Sequence, residues 1–161
     1  MRKVIILVLV VFAVVSCDSN RVFDDYESTE NNSWLRDNAV EFEVDVLDTI
    51  ANNNIFINLR NNKEYEFRNL FLIAELTFPD GRSVVDTLEY EMTDKEGRFL
   101  GTGLTDVKEN KLFYKENVRF HQKGLHILKV EHAMRKNNNI HGLDSLKGIT
   151  DIGFRIESVT E

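Results

Sequence analysis

The chain reads as an all-β protein: an antiparallel β-sandwich, jelly-roll or immunoglobulin-like, preceded by a signal peptide and a tether. Three observations predict it. From Val40 onward, apolar and polar residues alternate with period two in one segment after another, the mark of half-buried strands. Turn signals recur between those segments, and with a single proline in 161 residues the turns fall to asparagine: Asn31-Asn32, Asn52 to Asn54, Asn61-Asn62 and Asn137 to Asn139. Asparagine tolerates left-handed backbone and bonds its own main chain, so such runs are loops. No segment sustains a 3.6-residue period, although "DSLKG" at Asp144 to Gly148 would suit a short turn of helix.

The first element is a leader. Met1, Arg2 and Lys3 give a basic start and Val4 to Val15 are twelve consecutive apolar residues, an n-region followed by an h-region. As a helix that run spans roughly 18 Å, short of the ~30 Å a spanning segment must cross. Val14-Val15-Ser16-Cys17 then fits the bacterial lipobox, which presents a cysteine for lipidation. Residues 1–16 are read as a lipoprotein signal peptide and Cys17 as the lipidation site. Acylation of its thiol and of the new amino terminus supplies the two or more chains that stable anchoring needs. Cys17 is the only cysteine, so no disulfide supports the fold.

Residues 17–38 read as the lipidated cysteine and a polar tether, rich in Asp, Glu, Asn and Ser. Val22, Phe23, Tyr26 and Trp34 are its large apolar exceptions; docking of some of them on the domain is the simpler reading, with Trp34 the one to be buried. Residues 39–161 read as a single domain, long enough to bury a core without staples.

Within that domain "VEFEVDV" sets Val40, Phe42, Val44 and Val46 on one face of a strand against Glu41, Glu43 and Asp45. "NIFINLR" repeats the pattern with Ile55, Ile57 and Leu59. "LFLIAELTF", Leu70 to Phe78, is apolar on both faces and reads as a central strand covered on both sides. "PDGR" at Pro79 to Arg82 is turn chemistry leading into a hairpin through "SVVDTLEYEM". Further strands are expected at "RFLGTG", "KLFYKENVRF", "LHILKVEHAM" and "ITDIGFRIE".

Charge narrows the function classes. Twenty basic against 27 acidic residues give −7, and loss of Arg2 and Lys3 with the leader makes it −9. Such a body repels nucleic acid and stands off anionic lipid surfaces. No G-x-S-x-G elbow, H-E-x-x-H, P-loop or dinucleotide glycine fingerprint is present. His121 and His126 flank Gly124, and His126 and His132 would share a strand face, but a catalytic zinc needs three protein ligands. "TDKEGR", Thr93 to Arg98, is a fragment of a calcium loop and is better read as a charged hairpin tip. Glu41, Glu43, Glu75, Glu89 and Glu91 read as solvated outer faces rather than a glycosidase pair. No catalytic, cofactor or metal residue is assigned.

The run "FPDGRSVVDTLEYEMTDKEGRFLGTG" (Phe78 to Gly103), with "VRF" at Val118 to Phe120, "AMR" at Ala133 to Arg135 and "GITDIGFRIE" at Gly148 to Glu157, resembles the GldH family of gliding-motility lipoproteins from the Bacteroidetes. The resemblance extends to "CDSNRVFDDY" after the lipobox, Trp34, "NLRNN" at Asn58 to Asn62 and "NLFL" at Asn69 to Leu72. Phe99 stands where a tryptophan is expected, and "HQKGLH" lacks an expected proline. The resemblance implies no catalytic residues. It implies an envelope lipoprotein, held to the membrane by its N-terminal lipid, with protein partners in a gliding apparatus linked to type IX secretion. The periplasmic face of the outer membrane is favoured over the inner membrane. A glycan- or ligand-binding sandwich lipoprotein is the alternative, and it requires Tyr26, Trp34, Phe99 and Tyr114 to form an exposed coplanar set. A hydrolase, third, requires carboxylates or a nucleophile and base converging in a cleft.

Overall fold

The computed structural model describes residues 19–136 and 141–159. Cys17, the leader and the turn at Asn137 to Asn139 lie outside the described residues. The strands run β1 (Arg21–Ser28), β2 (Ser33–Leu35), β3 (Val40–Val46), β4 (Asn53–Asn61), β5 (Asn69–Thr77), β6 (Ser83–Glu91), β7 (Lys108–Val118), β8 (Gly124–His132), β9 (Ser145–Lys147) and β10 (Ile149–Ser158), with one 3-10 turn at Glu30–Asn32. Eight of them build two antiparallel four-stranded sheets, ordered β1-β10-β4-β7 and β3-β8-β5-β6, while β2 and β9 form a two-stranded ribbon.

Numbered one to eight along the chain, the long strands lie in the orders 1-8-3-6 and 2-7-4-5. Successive strands alternate between the sheets at both ends of the chain and form a hairpin in the middle. That is the double Greek key of a jelly roll, and it decides against the immunoglobulin-like alternative. The β-sandwich itself is as the periodicity predicts.

The core lies between the sheets, built by alternation. Ile55, Ile57 and Leu59 of β4 and Leu70, Leu72 and Ala74 of β5 are fully buried, as are Leu128 and Val130 of β8 and Ile152 of β10. Each such leucine, isoleucine or valine contributes ~1.5–3 kcal/mol relative to leaving it exposed, and the Ala74 methyl about 0.8 kcal/mol. On β3 the exposed Glu41, Glu43 and Asp45 alternate with buried Phe42, Val44 and Val46.

Four sequence expectations need correction. The tether assigned to residues 17–38 is, from Arg21 on, part of the sandwich: β1 pairs antiparallel with β10 from Arg21↔Glu157 to Ser28↔Asp151. Trp34 is buried as expected, and it sits on β2, which pairs with β9. "DSLKG" is therefore strand β9 followed by a turn at Gly148 (φ +83°), not helix. "RFLGTG" makes only isolated bridges, Thr93↔Phe99 and Thr102↔Glu109; its glycines, Gly101 and Gly103, press against Asn110 and the Val107 carbonyl where no side chain fits, and Gly103 takes positive φ. Finally, β5 is central in its sheet, between β6 and β8, but among the described residues no strand lies over its second face: Phe71, Ile73, Glu75 and Thr77 are only half-buried.

The registers also sort the loops. Arg21 lies across from Glu157, Asn53 from Ser158 and Val118, Val46 from Gly124, and Thr77 from Ser83. The start of β1, the loops 47–52, 78–82 and 119–123, and residue 159 consequently share one end of the sandwich. The segments 29–39, 62–68, 92–107, 133–136 and 141–148 share the other.

Candidate interaction surface

The residues singled out for chemistry are spent on structure. His126 and His132 do share a face, the inner one, and both are buried. His126 Nδ1 lies 3.0 Å from the Gly124 carbonyl, and its ring stands edge-on to Phe78 and Phe120. His132 packs edge-on against Trp34 at 5.5 Å, and neither ring nitrogen has a well-aligned partner. Burial pushes its imidazole below the ordinary range; the Trp34 main chain opposes this and the Arg36 charge adds to it. His121 is exposed on a loop. Among the described residues, no three His, Cys, Asp or Glu side chains are placed to hold a metal ion.

The Thr93 to Arg98 tip closes on itself. Asp94 accepts from the main-chain amides of Glu96 and Arg98 at 3.0 and 2.8 Å and from Arg98 Nε at 2.7 Å. The Arg98 amide, with the guanidinium behind it, holds the Asp94 carboxyl below the usual range. The aromatic platform does not form: Trp34 and Tyr114 are buried, Phe99 packs on the core, and Tyr26 is locked in a polar cluster.

That cluster is the outer face of the β1-β10-β4-β7 sheet. Tyr26 lies flat over Gly153, where a Cβ would come within 2.6 Å of the ring, so only glycine fits beneath it. Its hydroxyl accepts from Asn58 Nδ2 at 2.9 Å and donates to Glu109 at 3.0 Å. The Arg60 guanidinium stacks 4.1 Å above the ring and bonds the other Glu109 oxygen at 3.1 Å. Burial, and the Glu109 charge after it, push the phenol up to about 12. Further along, Lys111 and Arg155 both bond Glu157, and Arg155 also bonds Asp24, each within 2.8 Å. Burial works against Glu157's ionisation, yet the Lys111 and Arg155 cations hold its carboxyl below the ordinary range. This face has satisfied its own charges.

The outer face of the other sheet has not. Glu41, Glu43 and Asp45 of β3, Glu75 of β5 and Glu131 of β8 make no ion pair among the described residues. Lys129 lies between Glu41 and Glu75 across the strands. Half-buried Phe71, Ile73 and Ile127 and exposed Leu125 and Val85 lie among these acids.

This face ends at a bare edge. The bonds Met92 N→Arg68 O and Phe78 N→Arg82 O mark the bonded pairs of the β5–β6 ladder at even residues of β6. By the alternation of an antiparallel ladder, Val85, Thr87 and Glu89 turn their amides and carbonyls outward, and among the described residues no strand pairs there. The rim below β6 is pinned to β7 instead: Asp86 accepts from Tyr114 at 2.8 Å and Lys115 at 2.7 Å, and Tyr90 donates to the Phe113 carbonyl at 2.8 Å. The Lys115 bond, with Tyr114 beside it, holds the Asp86 carboxyl below its ordinary value despite burial. Sequence reasoning named the β6 hairpin but missed Asp86 as its clamp; an acid on the inner face of an otherwise apolar alternation was the available signal.

The family described as GldH lipoprotein matches residues 21–156, from the first residue of β1 into β10. The chain is 47% identical over 160 residues to "Gliding motility lipoprotein GldH homolog" of Christiangramia forsetii, covering 98% of each chain. The chain belongs to the GldH lipoprotein family. This GldH family member is also 47% identical over 152 residues to "Gliding motility lipoprotein GldH" of Flavobacterium johnsoniae, covering 94% of each. Among solved structures, the infectious bursal disease virus VP2 subviral particle aligns with 89% of the GldH family chain but 34% of its own, at 17% identity and a TM-score of 0.40, too distant to bear on function. The family assignment agrees with the resemblance carried by the Phe78 to Gly103 run, whose residues form the β6 hairpin and the bridged loop after it.

Proposed function

We propose that this chain is an envelope-anchored, non-enzymatic interaction component of the gliding-motility machinery, linked to type IX secretion, lipidated at Cys17 and facing the periplasm from the outer membrane. Family membership supports the lipoprotein and motility parts. Among the described residues, no helix is long and apolar enough to cross a membrane. The observation that carries the interaction role is the pairing of an acidic, partly apolar sheet face with the unpaired β6 edge. A long edge strand with unsatisfied amides beside uncovered aliphatics is a surface that proteins ordinarily protect, or else use for a partner.

The test is complementation of a non-gliding deletion strain, scoring spreading and protein level together. Single Asp→Asn, Glu→Gln and His→Ala changes are expected to be largely tolerated, because interfaces concentrate their energy in a few anchors among near-neutral contacts. Thr87→Pro removes one outward amide of β6 without touching the ladder to β5, and is expected to stop spreading at normal protein level. A single carboxylate or histidine that abolishes spreading while the protein accumulates normally would favour an enzyme, where loss of an acid/base group costs ~10²–10⁴ in rate.

A further inference from the structure

The end of the sandwich that carries the start of β1 differs from the rest of the surface. Only three residues, Asp18 to Asn20, separate Cys17 from Arg21, the first residue of β1. Fully extended, Cys17 to Arg21 reaches about 14 Å. A lipid on Cys17 therefore keeps this end of the body within one short span of the leaflet.

The same end exposes aliphatic side chains in a fixed loop. Leu47 is 72% exposed and Ile50 78%, and Val22 beside them is 58% exposed. The loop is held by Asp48, whose carboxylate accepts from the main-chain amides of Ile50 and Ala51 at 2.7 and 3.2 Å. Between β1 and this loop runs a groove of about 310 Å³ whose apolar lining includes Val22, Phe23, Leu47 and Phe120, with Asp45 and Asp48 also on its wall. A second groove at this end, about 440 Å³, is lined by Phe78, Val84 and Val118 together with Arg82, Arg119 and His121.

Charge at this end does not follow the −9 of the body. Arg21, Arg119 and Lys123 are exposed and have no acid within ion-pair distance among the described residues. Asp80 is engaged by Arg82 at 2.8 Å and Gln122 at 2.7 Å, and Glu157 by Lys111 and Arg155. Of the acids without ion-pair partners among the described residues, Glu41, Glu43, Glu75 and Glu131 stand on the lateral β3-β8-β5-β6 face, Asp45 borders the first groove, and Asp48 in the loop is turned onto the Ile50 and Ala51 amides.

We infer that this end is a lipid-docking surface: the sandwich stands on the leaflet that holds Cys17, with Val22, Leu47 and Ile50 entering the headgroup–acyl boundary and Arg21, Arg119 and Lys123 against lipid phosphates. Aliphatic burial and basic side chains facing anionic headgroups act together in such contacts. The inference runs against the expectation that the acidic body stands off the membrane, and the long tether of that expectation is shortened by β1 to the residues before Arg21. It rests on the lipidation of Cys17, and it leaves the β6 edge standing roughly along the membrane normal, open to a periplasmic partner.

The test uses the lipidated full-length protein in vesicles of phosphatidylethanolamine and phosphatidylglycerol. Detergent phase partitioning of the wild-type protein is scored first: loss of partitioning in Cys17→Ala with retention in wild type upholds the anchor, and its failure refutes the anchor and this inference together. Environment-sensitive labels are then attached through Thr49→Cys, in the exposed loop, and through Leu104→Cys, at the far end and fully exposed. The Thr49→Cys label is expected to be reached by a lipid-phase quencher and shielded from iodide, and the Leu104→Cys label the reverse. Leu47→Asp with Ile50→Asp is expected to raise iodide access at position 49 roughly tenfold with no change in urea midpoint, since both side chains are solvent-exposed in the folded body. Equal iodide access at positions 49 and 104 in the anchored protein overturns docking while leaving the anchor intact. So does shielding at position 49 that persists in detergent micelles and grows with protein concentration, which would mark a second copy as the occupant.

Discussion

Gly148 and Gly81 share a backbone angle and differ in their surroundings, which isolates the packing that fastens the N-terminal arm to the sandwich. Both have φ +83°, a region costly for any side chain. An alanine at Gly81 meets nothing within 4 Å, whereas at Gly148 its Cβ overlaps the Tyr65 main-chain nitrogen and falls 2.6 Å from the Glu64 carbonyl carbon. Gly148 also donates to Asn32 O and accepts from Asn62 N, both at 2.8 Å, so the residue joins the 3-10 turn, the 62–65 loop and the start of β10. The dihedral penalty is ~1–2 kcal/mol at either site, partly offset by the lost freedom of the unfolded chain, ~0.4–1 kcal/mol. Overpacking against main chain adds ~1–3 kcal/mol, and straining two hydrogen bonds adds about 1 kcal/mol each. Gly148→Ala is therefore expected to cost at least ~2 kcal/mol more than Gly81→Ala. Urea unfolding followed by the fluorescence of Trp34, the single tryptophan and itself buried, measures both. Equal destabilisation at the two glycines would refute the close approach of the 62–65 loop to the β9–β10 turn.

Three more outcomes follow from the same structure. Deleting Asp24 to Asn32 removes most of β1 and bares the edge of β10, so it is expected to prevent cooperative folding; a normal urea transition in the deleted protein would return the segment to a tether. Trp34→Ala empties the largest fully buried side chain and loses the edge contact to His132, with an expected cost of ~3–5 kcal/mol in the same assay. His132 has a folded-state pKa lowered from 6.5, so below that pH the unfolded chain takes up a proton that the folded chain refuses. Stability from this group is full above pH 6.5 and falls as the pH drops toward the folded value, with a slope of at most ~1.4 kcal/mol per pH unit. Urea titrations below pH 6.5 should show a loss of stability with falling pH that is smaller in His132→Phe; the same loss in both would assign it elsewhere.

Period two was legible wherever one face of a strand is buried and the other wet. β3, β8 and β10 announce themselves because Phe42, Leu128 and Phe154 recur in step with their polar neighbours. β1 does not, for a physical reason: it is an edge strand with a register shift between Arg21 and Phe23, so Val22 and Phe23 fall on successive positions and the alternation breaks. Its inner face is also thin, with Phe23 only half-buried against Phe154 at 5.6 Å. The three-residue ribbon of β2 and β9 has no period to read, since it exists only because chain folding brings Ser33–Leu35 beside Ser145–Lys147. The outer face of β5 misled in the opposite direction: Phe71 and Ile73 are as apolar as a covered strand, and a sequence cannot say that no described strand packs over them.

That last failure bears on what the surface is for. Alternation specifies which face of a strand is buried, but neither its neighbours nor which loops gather at one end, because those depend on the order in which eight strands are wound. The jelly-roll winding brings Leu47 and Ile50, from a loop that reads as an ordinary asparagine-rich turn, to the end where β1 begins, and it leaves β6 as an edge. In sequence, Leu47 merely breaks the alternation after Val46; in the fold it is one of several aliphatics around a groove beside the start of β1. The charges sort the same way. The β1-β10-β4-β7 face consumes its acids in the Arg60, Lys111 and Arg155 pairs, whereas the β3-β8-β5-β6 face keeps Glu41, Glu75 and Glu131 unpaired, although the two read alike as runs of alternating charge. Winding the chain so that the end where β1 begins exposes aliphatic side chains while the lateral face is acidic and open-edged separates two surfaces of different chemistry, and under the proposed lipidation of Cys17 the lateral face is the one left free for a basic, extended partner.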